Sequence, residues 1–309
     1  MSSGLEVAKV SKTFGGLRAL TNVSLRVPPA SVFGLIGPNG AGKTTLLNLV
    51  TGFGAPDPGG SIAFRGTPLA GRGPVHAARA GVARTFQNIR LFERLSVLDN
   101  VLVGAEVHQP ARLLDGLFYP RRARTLEADR RDRALELLEL FGLTRAADRP
   151  PGSLSYGDRR RLEMARALMA APRLLLLDEP AAGMNQGEAA ALAGRVRALR
   201  DRFGLTVVLV EHNVGLVMSL CDVVHVLDHG ETVAEGAPAD IREHPAVLEA
   251  YLGRAASLPP PRPLPTPPPG ASAPPPGGSV PPPRVIITPT PMPRPPSAPP
   301  GRPSRPPGA

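Results

Sequence analysis

The stretch Gly37-Pro38-Asn39-Gly40-Ala41-Gly42-Lys43-Thr44-Thr45 constrains this chain more than any other. It follows the apolar run Val32-Phe33-Gly34-Leu35-Ile36 and leads into Leu46-Leu47-Asn48-Leu49-Val50, which reads as strand, glycine loop and helix in that order. Glycines let the backbone curl until successive N–H groups face one centre, and the following helix adds the positive end of its dipole. The unit is therefore a cradle for phosphate. Lys43 reaches the outer phosphates as a point charge, and the Thr44 hydroxyl is placed to ligate Mg²⁺. A plain glycine turn between a strand and a helix is the structural alternative, and the remainder of the chain has to decide between the two.

Upstream, Leu5-Glu6-Val7-Ala8-Lys9-Val10 and Leu25-Arg26-Val27 alternate apolar and polar side chains, the pattern of an antiparallel pair with one face on a core. Phe14 lies between them, followed by Gly15 and Gly16, and reads either as hydrophobic filler or as a flat face on which a purine base stacks. Downstream, Ser61 to Phe64 and Val82 to Phe86 read as short strands, the second ending at Gln87. The Gln87 amide is either a solvated polar group or a contact to Mg²⁺ or an attacking water. Ser96 and Asp99 cap a helical run at Val97 to Val103. From Arg121 to Leu143 a longer helix places Leu126, Leu135, Leu138 and Phe141 on one face, with interleaved charges forming a solvated surface.

Leu154-Ser155-Tyr156-Gly157-Asp158 opens another helix, with Ser155 as its N-cap. A serine and a glycine at a helix N-terminus also suit a phosphate. Two phosphate sites for one glycine loop are odd in a monomer and make sense if a second subunit faces the first. Leu174 to Leu177 is an unbroken apolar run ending in Asp178 and Glu179, the pattern of a parallel strand buried on both faces. Carboxylates at the C-terminal edge of such a sheet lie where ligands bind, Asp178 toward Mg²⁺ and Glu179 toward an attacking water. Leu205 to Val210 repeats the design with Glu211 and His212 at its end, and strands follow at Val223 to Leu227 and Thr232 to Glu235.

Of the 39 prolines in 309 residues, 24 lie between Ala255 and Ala309, and that segment carries five arginines and no acid. Half of the formal +10 charge thus belongs to a proline-rich tail expected to lack regular structure. The basic pI is then a weak argument for nucleic acid, and no nucleic-acid partner is expected. Cys221, the single cysteine, sits in an apolar segment and reads as buried. The N-terminus lacks the pattern of a secretory signal, and no stretch of about 18 apolar residues occurs, so any membrane role runs through partners.

Taken in order, Phe14, the Gly37 to Thr45 loop, Gln87, Leu154 to Asp158, Asp178-Glu179 and His212 resemble the nucleotide-binding subunit of an ABC transporter, over residues 4 to 254. Within that superfamily, Thr85 to Phe92, Pro180 to Asn185 and Val247 to Gly253 are similar to the LivG-type subunit of branched-chain amino acid importers. The resemblance implies an α/β P-loop NTPase (RecA-like) core with an antiparallel β subdomain. It also implies a helical signature subdomain at about residues 88–165 within a cassette of 1–254, ahead of a disordered tail at 255–309.

The implied roles follow position by position. Phe14 stacks adenine, and Gly37, Pro38, Asn39, Gly40, Ala41, Gly42, Lys43, Thr44 and Thr45 form Walker A. Ser155 and Gly157 contact the γ-phosphate bound by an opposite subunit. Gln87 is a hinge that senses the transmembrane partner, and Thr44, Gln87 and Asp178 serve Mg²⁺. Glu179 is the catalytic carboxylate and His212 the switch histidine. Tyr156 and Asp158 stand where the superfamily's L-S-G-G-Q has its third and fifth residues, and Asn185 and Gln186 stand where many cassettes have an aspartate. ATP and Mg²⁺ are the implied ligands. The implied partners are permease subunits, a second identical or paralogous ATP-binding subunit and, indirectly, a solute-binding protein, which places the chain at the cytoplasmic face of the plasma membrane. Urea and amide importers, lipopolysaccharide exporters and non-transport ATPases acting on DNA or ribosomes are the alternatives of the same superfamily.

Overall fold

The apolar runs become strands buried on both sides because each feeds two cores. In the computed structural model, which describes residues 4–107 and 120–252, Phe33 and Leu35, Leu174 and Leu176, and Val208 and Val210 point into one hydrophobic cluster. Their neighbours Val32 and Ile36, Leu175 and Leu177, and Val207 and Leu209 point into another. Side chains alternate across a pleated strand, so both faces call for apolar side chains and the central strands read as nearly continuous hydrophobe.

The first cluster lies between two sheets. Strands β1 (Leu5–Phe14), β2 (Leu17–Val27), β4 (Ser61–Phe64) and β5 (Thr67–Pro68) form an antiparallel sheet in the order β2-β1-β4-β5. The second sheet has six strands in the order β10-β9-β3-β8-β7-β6. These are β3 (Val32–Ile36), β6 (Val82–Arg84), β7 (Leu174–Asp178), β8 (Thr206–Val210), β9 (Val223–Asp228) and β10 (Glu231–Gly236). All its neighbours are parallel except β9 and β10. Helix α1 (Lys43–Val50) supplies Leu46, Leu47, Leu49 and Val50 to the same cluster.

Helices cover the other face. Helix α2 (Pro74–Arg79) adds Ala77 to the first cluster, and the helices on the other face are α3 (Val97–Val103), α4 (Pro120–Leu140), α5 (Tyr156–Met169), α6 (Gln186–Phe203), α7 (Val214–Leu220), α8 (Pro238–Glu243) and α9 (Pro245–Leu252). Their starts are chemically marked. Ser96, Ser155 and Asn213 each accept from the backbone N–H of the third residue of the helix they cap, and Asn185 with Glu188 forms a full capping box. Cys221 is buried as expected.

Three details differ from the sequence expectation. Leu126 is 40% exposed, because the buried stripe of α4 begins at Ala134 and Leu126 lies two turns before it. Strand β6 stops at Arg84, not Phe86: Thr85 still donates to the Leu176 carbonyl, but the Phe86 backbone turns to side chains of α5. Helix α4 ends at Leu140, leaving Phe141 just beyond it, buried. The proline-rich tail, Gly253, and the side chains of Arg121 and Arg122 lie outside the described residues. Among the described residues no helix is long and apolar enough to cross a membrane.

Candidate functional site

Every motif singled out in the core sheet leaves the carboxyl end of a parallel strand: the glycine loop from β3, Gln87 after β6, Glu179 after β7 and His212 after β8. Strand polarity therefore gathers residues far apart in sequence at one edge. There they line a cavity of about 820 Å³ together with Asn39 through Thr45 and Phe14 from the β1–β2 hairpin. Gly42 adopts φ 99°, and a Cβ there would lie 2.6 Å from the Leu20 side chain, so the loop closes onto β2 only with glycine. The Lys43 ammonium is buried and donates to the Gly37 carbonyl at 2.7 Å and the Pro38 carbonyl at 3.0 Å, which places it inside the curl of the loop.

Glu179 is the point of convergence. Gln87 Nε2 donates to its Oε2 at 2.7 Å, and His212 Nε2 lies 2.5 Å from its Oε1. Its backbone sits at φ 50°, in the left-handed region that costs a non-glycine residue free energy and that clusters at functional sites. Asp178 does not line the cavity. It is 3% exposed, behind the wall, where Arg84 Nη2 donates to its Oδ2 at 2.7 Å.

Hydroxyl, carboxylate and amide oxygens from Thr44, Asp178 and Gln87 are hard donors of the kind Mg²⁺ takes. Among the described residues there is no cluster of three or more His, Cys, Asp or Glu able to hold a metal ion.

Ser155 and Gly157 lie elsewhere. They line a separate hollow of about 320 Å³ with Tyr156, Arg160, Gly183 and Met184. The Ser155 hydroxyl donates to Asp158 Oδ2 at 2.8 Å and accepts from the Asp158 N–H at 3.1 Å, while Arg161 pairs with the other carboxylate oxygen. Asp158 is thus drawn toward its own helix and partly neutralised.

Two residues of the site were given no role by the sequence. Arg84 stood inside a short strand with no role of its own, and its acid is 94 residues away, beyond any spacing rule. Glu211, buried beside His212, accepts from the Ala181 N–H at 2.7 Å and the His212 N–H at 3.2 Å, and so ties the turn after Glu179 to the turn carrying His212. Burial pushes its carboxyl above the ordinary value, opposed by the N–H groups of Ala181, His212 and Asn213. A charged residue directly after an apolar strand was the available signal. Leu17, Arg18 and Ala19 at the start of β2 and His229 on the β9–β10 turn also line the cavity, in segments that carried no motif.

A phosphate cradle, a carboxylate held at a strained turn and a sheet built in this order define an ATP-binding cassette of the ABC transporter class, an enzyme that hydrolyses ATP. The comparisons agree. The ABC transporter family matches residues 20–182, and the branched-chain amino acid ATP-binding cassette transporter family matches residues 231–257. The chain is 44% identical over 251 residues to the high-affinity branched-chain amino acid transport ATP-binding protein BraF of Pseudomonas aeruginosa, spanning 81% of this chain and 98% of BraF. It is 43% identical over 251 residues to LivG of Escherichia coli K12, with 81% and 98% covered. The crystal structure of the ADP conformation of MJ1267, an ATP-binding cassette of an ABC transporter, matches with TM-score 0.71 and 32% identity, covering 82% of this chain and 100% of that one. The chain belongs to the LivG and BraF group of branched-chain amino acid transport ATP-binding proteins.

Proposed function

We propose that the chain powers a branched-chain amino acid importer as a peripheral subunit on the cytoplasmic face of the membrane, working in pairs with an identical or paralogous cassette. The observation that carries the pairing is the division of phosphate-binding residues between two places. The glycine loop, Gln87, Glu179 and His212 share one cavity, whereas Ser155 and Gly157 face a different hollow of the same chain. A Cβ on Gly157 would meet nothing within 4 Å, so none of the described residues requires glycine there. Close approach by a phosphate held on another subunit would.

In this reading Phe14, 55% exposed at the cavity rim, stacks the adenine, and Asn39 to Thr45 hold the phosphates through backbone N–H groups and Lys43. Glu179, oriented by Gln87 and His212, accepts a proton from the water that attacks the γ-phosphate in line. Thr44, Gln87 and Asp178 would hold Mg²⁺, which would supply charge neutralisation of the phosphates. Most of the catalysis comes from positioning, so the two halves of the composite site have to close before turnover. Cassette 1–254, with its helical subdomain at about 88–165, carries all these residues. The solute is set by the permease and solute-binding partners.

The test is ATP-dependent association. The full chain carrying Glu179→Gln should dimerise on size exclusion with MgATP, and adding Gly157→Asp should abolish the dimer while leaving ATP binding intact. A monomer in both cases would overturn the composite site. Co-purification of a tagged chain with two amino acid permease subunits, against export-complex subunits, tests the importer assignment.

A further inference from the structure

Arg160 is fully buried, an unusual place for a guanidinium, and its partners explain why it stays there. Its Nη1 donates to the Phe86 carbonyl at 2.6 Å and to Glu163 Oε2 at 3.0 Å, while Nη2 donates to the Gln87 carbonyl at 2.8 Å. Glu163, itself 1% exposed, accepts from the Phe86 N–H at 3.2 Å through Oε1. Tyr156 completes the enclosure, its hydroxyl 3.3 Å from Nη2 and its ring 5.9 Å from the guanidinium carbon. A buried pair on α5 therefore grips three backbone groups of Phe86 and Gln87, the segment that carries the Gln87 side chain.

We infer that Arg160, with Glu163, is a positioning residue that makes the Phe86–Gln87 backbone and helix α5 one mechanical unit, so that Gln87 meets Glu179 only where α5 allows it. A dehydrated guanidinium is tolerated only while its hydrogen bonds are made, and two of those acceptors are the peptide carbonyls of Phe86 and Gln87. Pulling the segment from the helix strands the charge, whereas moving both together costs nothing of that kind. Tyr156 and Gly157 occupy the first turn of the same helix and Ser155 caps it. A displacement that seats Ser155 and Gly157 on the opposite nucleotide is thereby transmitted to the Gln87–Glu179 contact in this chain's own cavity. The fork of arginine is what spans two carbonyls and a carboxylate at once; a lysine ammonium has no such planar array. The inference rests on the proposed role of Gln87 at the reacting phosphate.

The experiment is a double-mutant cycle on ATP hydrolysis by the full chain, combining Arg160→Met with Gln87→Ala, alongside binding of a fluorescent ATP analogue. Arg160→Met should lower kcat about tenfold or more and leave the analogue's Kd within about twofold, because the glycine loop is untouched. In the Gln87→Ala background it should lower kcat by no more than about twofold further, since residues acting through one contact are not additive. General damage to the fold would instead multiply the two losses. Arg160→Lys keeps the buried charge and should fold where Met does not; a loss of about threefold or more that disappears in the Gln87→Ala background is expected. Multiplicative losses, or an unchanged kcat in Arg160→Lys while Gln87→Ala is impaired, overturn the coupling alone. An unchanged kcat in Gln87→Ala overturns the reading of Gln87 and the coupling with it.

Discussion

Arg84 and Asp178 form an ion pair at the adjacent ends of β6 and β7, Nη2 to Oδ2 at 2.7 Å, with both side chains 5% exposed. The same guanidinium donates through Nη1 to Asn48 Oδ1 at 2.7 Å near the end of α1, so one side chain joins the glycine-loop helix, the strand leading to Gln87 and the strand leading to Glu179. The pair is embedded where solvent screens little, and breaking such a pair by removing one partner leaves an uncompensated buried charge.

Arg84→Ala is therefore expected to destabilise the cassette by about 3–5 kcal/mol in urea denaturation, far more than an exposed arginine would. An exposed comparison is at hand in Arg26, whose side chain is 79% exposed at 3.7 Å from Glu6; Arg26→Ala should cost less than about 1 kcal/mol. Equal midpoints for the two variants would contradict this account of the Arg84 pair.

Glu179→Gln should retain ATP binding and lose about 10²-fold to 10⁴-fold in turnover, the range in which a general base contributes. The amide keeps the shape of the carboxylate, so the neighbours Gln87 and His212 have something to meet, but it accepts no proton. Steady-state phosphate release checks it, and undiminished release would remove Glu179 from the chemistry. Lys43→Ala should act differently, weakening nucleotide binding itself, as a titration with ATP analogue would record.

Gly157→Ala separates folding from function. Alanine is favoured over glycine in a helix by about 1 kcal/mol, and open space surrounds the position, so the variant should be at least as stable as the parent. In the proposed composite site the added methyl would meet the phosphate of the opposite subunit, so ATP-dependent dimerisation should nevertheless fall. A stable variant that still dimerises with MgATP would remove Gly157 from the composite site.

These relationships divide by the distance over which they are encoded. The glycine loop, the capped helix starts at Ser96 and Ser155 and the doubly buried strands were legible because each is written in a few neighbouring residues: a turn conformation, an N-cap oxygen, an unbroken apolar run. That Gln87, Glu179 and His212 meet also followed, once parallel strands were granted, from their common place after strand ends. Arg84, Arg160 and Glu211 were not legible. Each is a charged residue whose meaning lies in a partner brought near only by the sheet or by helix packing. Leu126 failed for the opposite reason, since helical spacing gives the face a residue occupies but not how far along the helix the core extends.

Cys221 offers a test of the core that is independent of the nucleotide. Burial, with the negative charge of Asp222 adding to it, pushes its thiol from the ordinary 9.0 up to about 12. At pH 8.5 the native thiol is then both protonated and shielded, so iodoacetamide should label it only in the unfolded chain. The sign of the stability effect follows from the same shift. The folded state holds the proton more tightly than the unfolded state, so the contribution is fully present below the unfolded value of 9.0 and is lost as pH rises toward about 12. Denaturation midpoints should accordingly fall across that alkaline window, and Cys221→Ala, which has no proton to lose, should show a shallower fall. Rapid native-state labelling at pH 8.5, or parallel pH profiles for parent and variant, would contradict the burial of this thiol against β3.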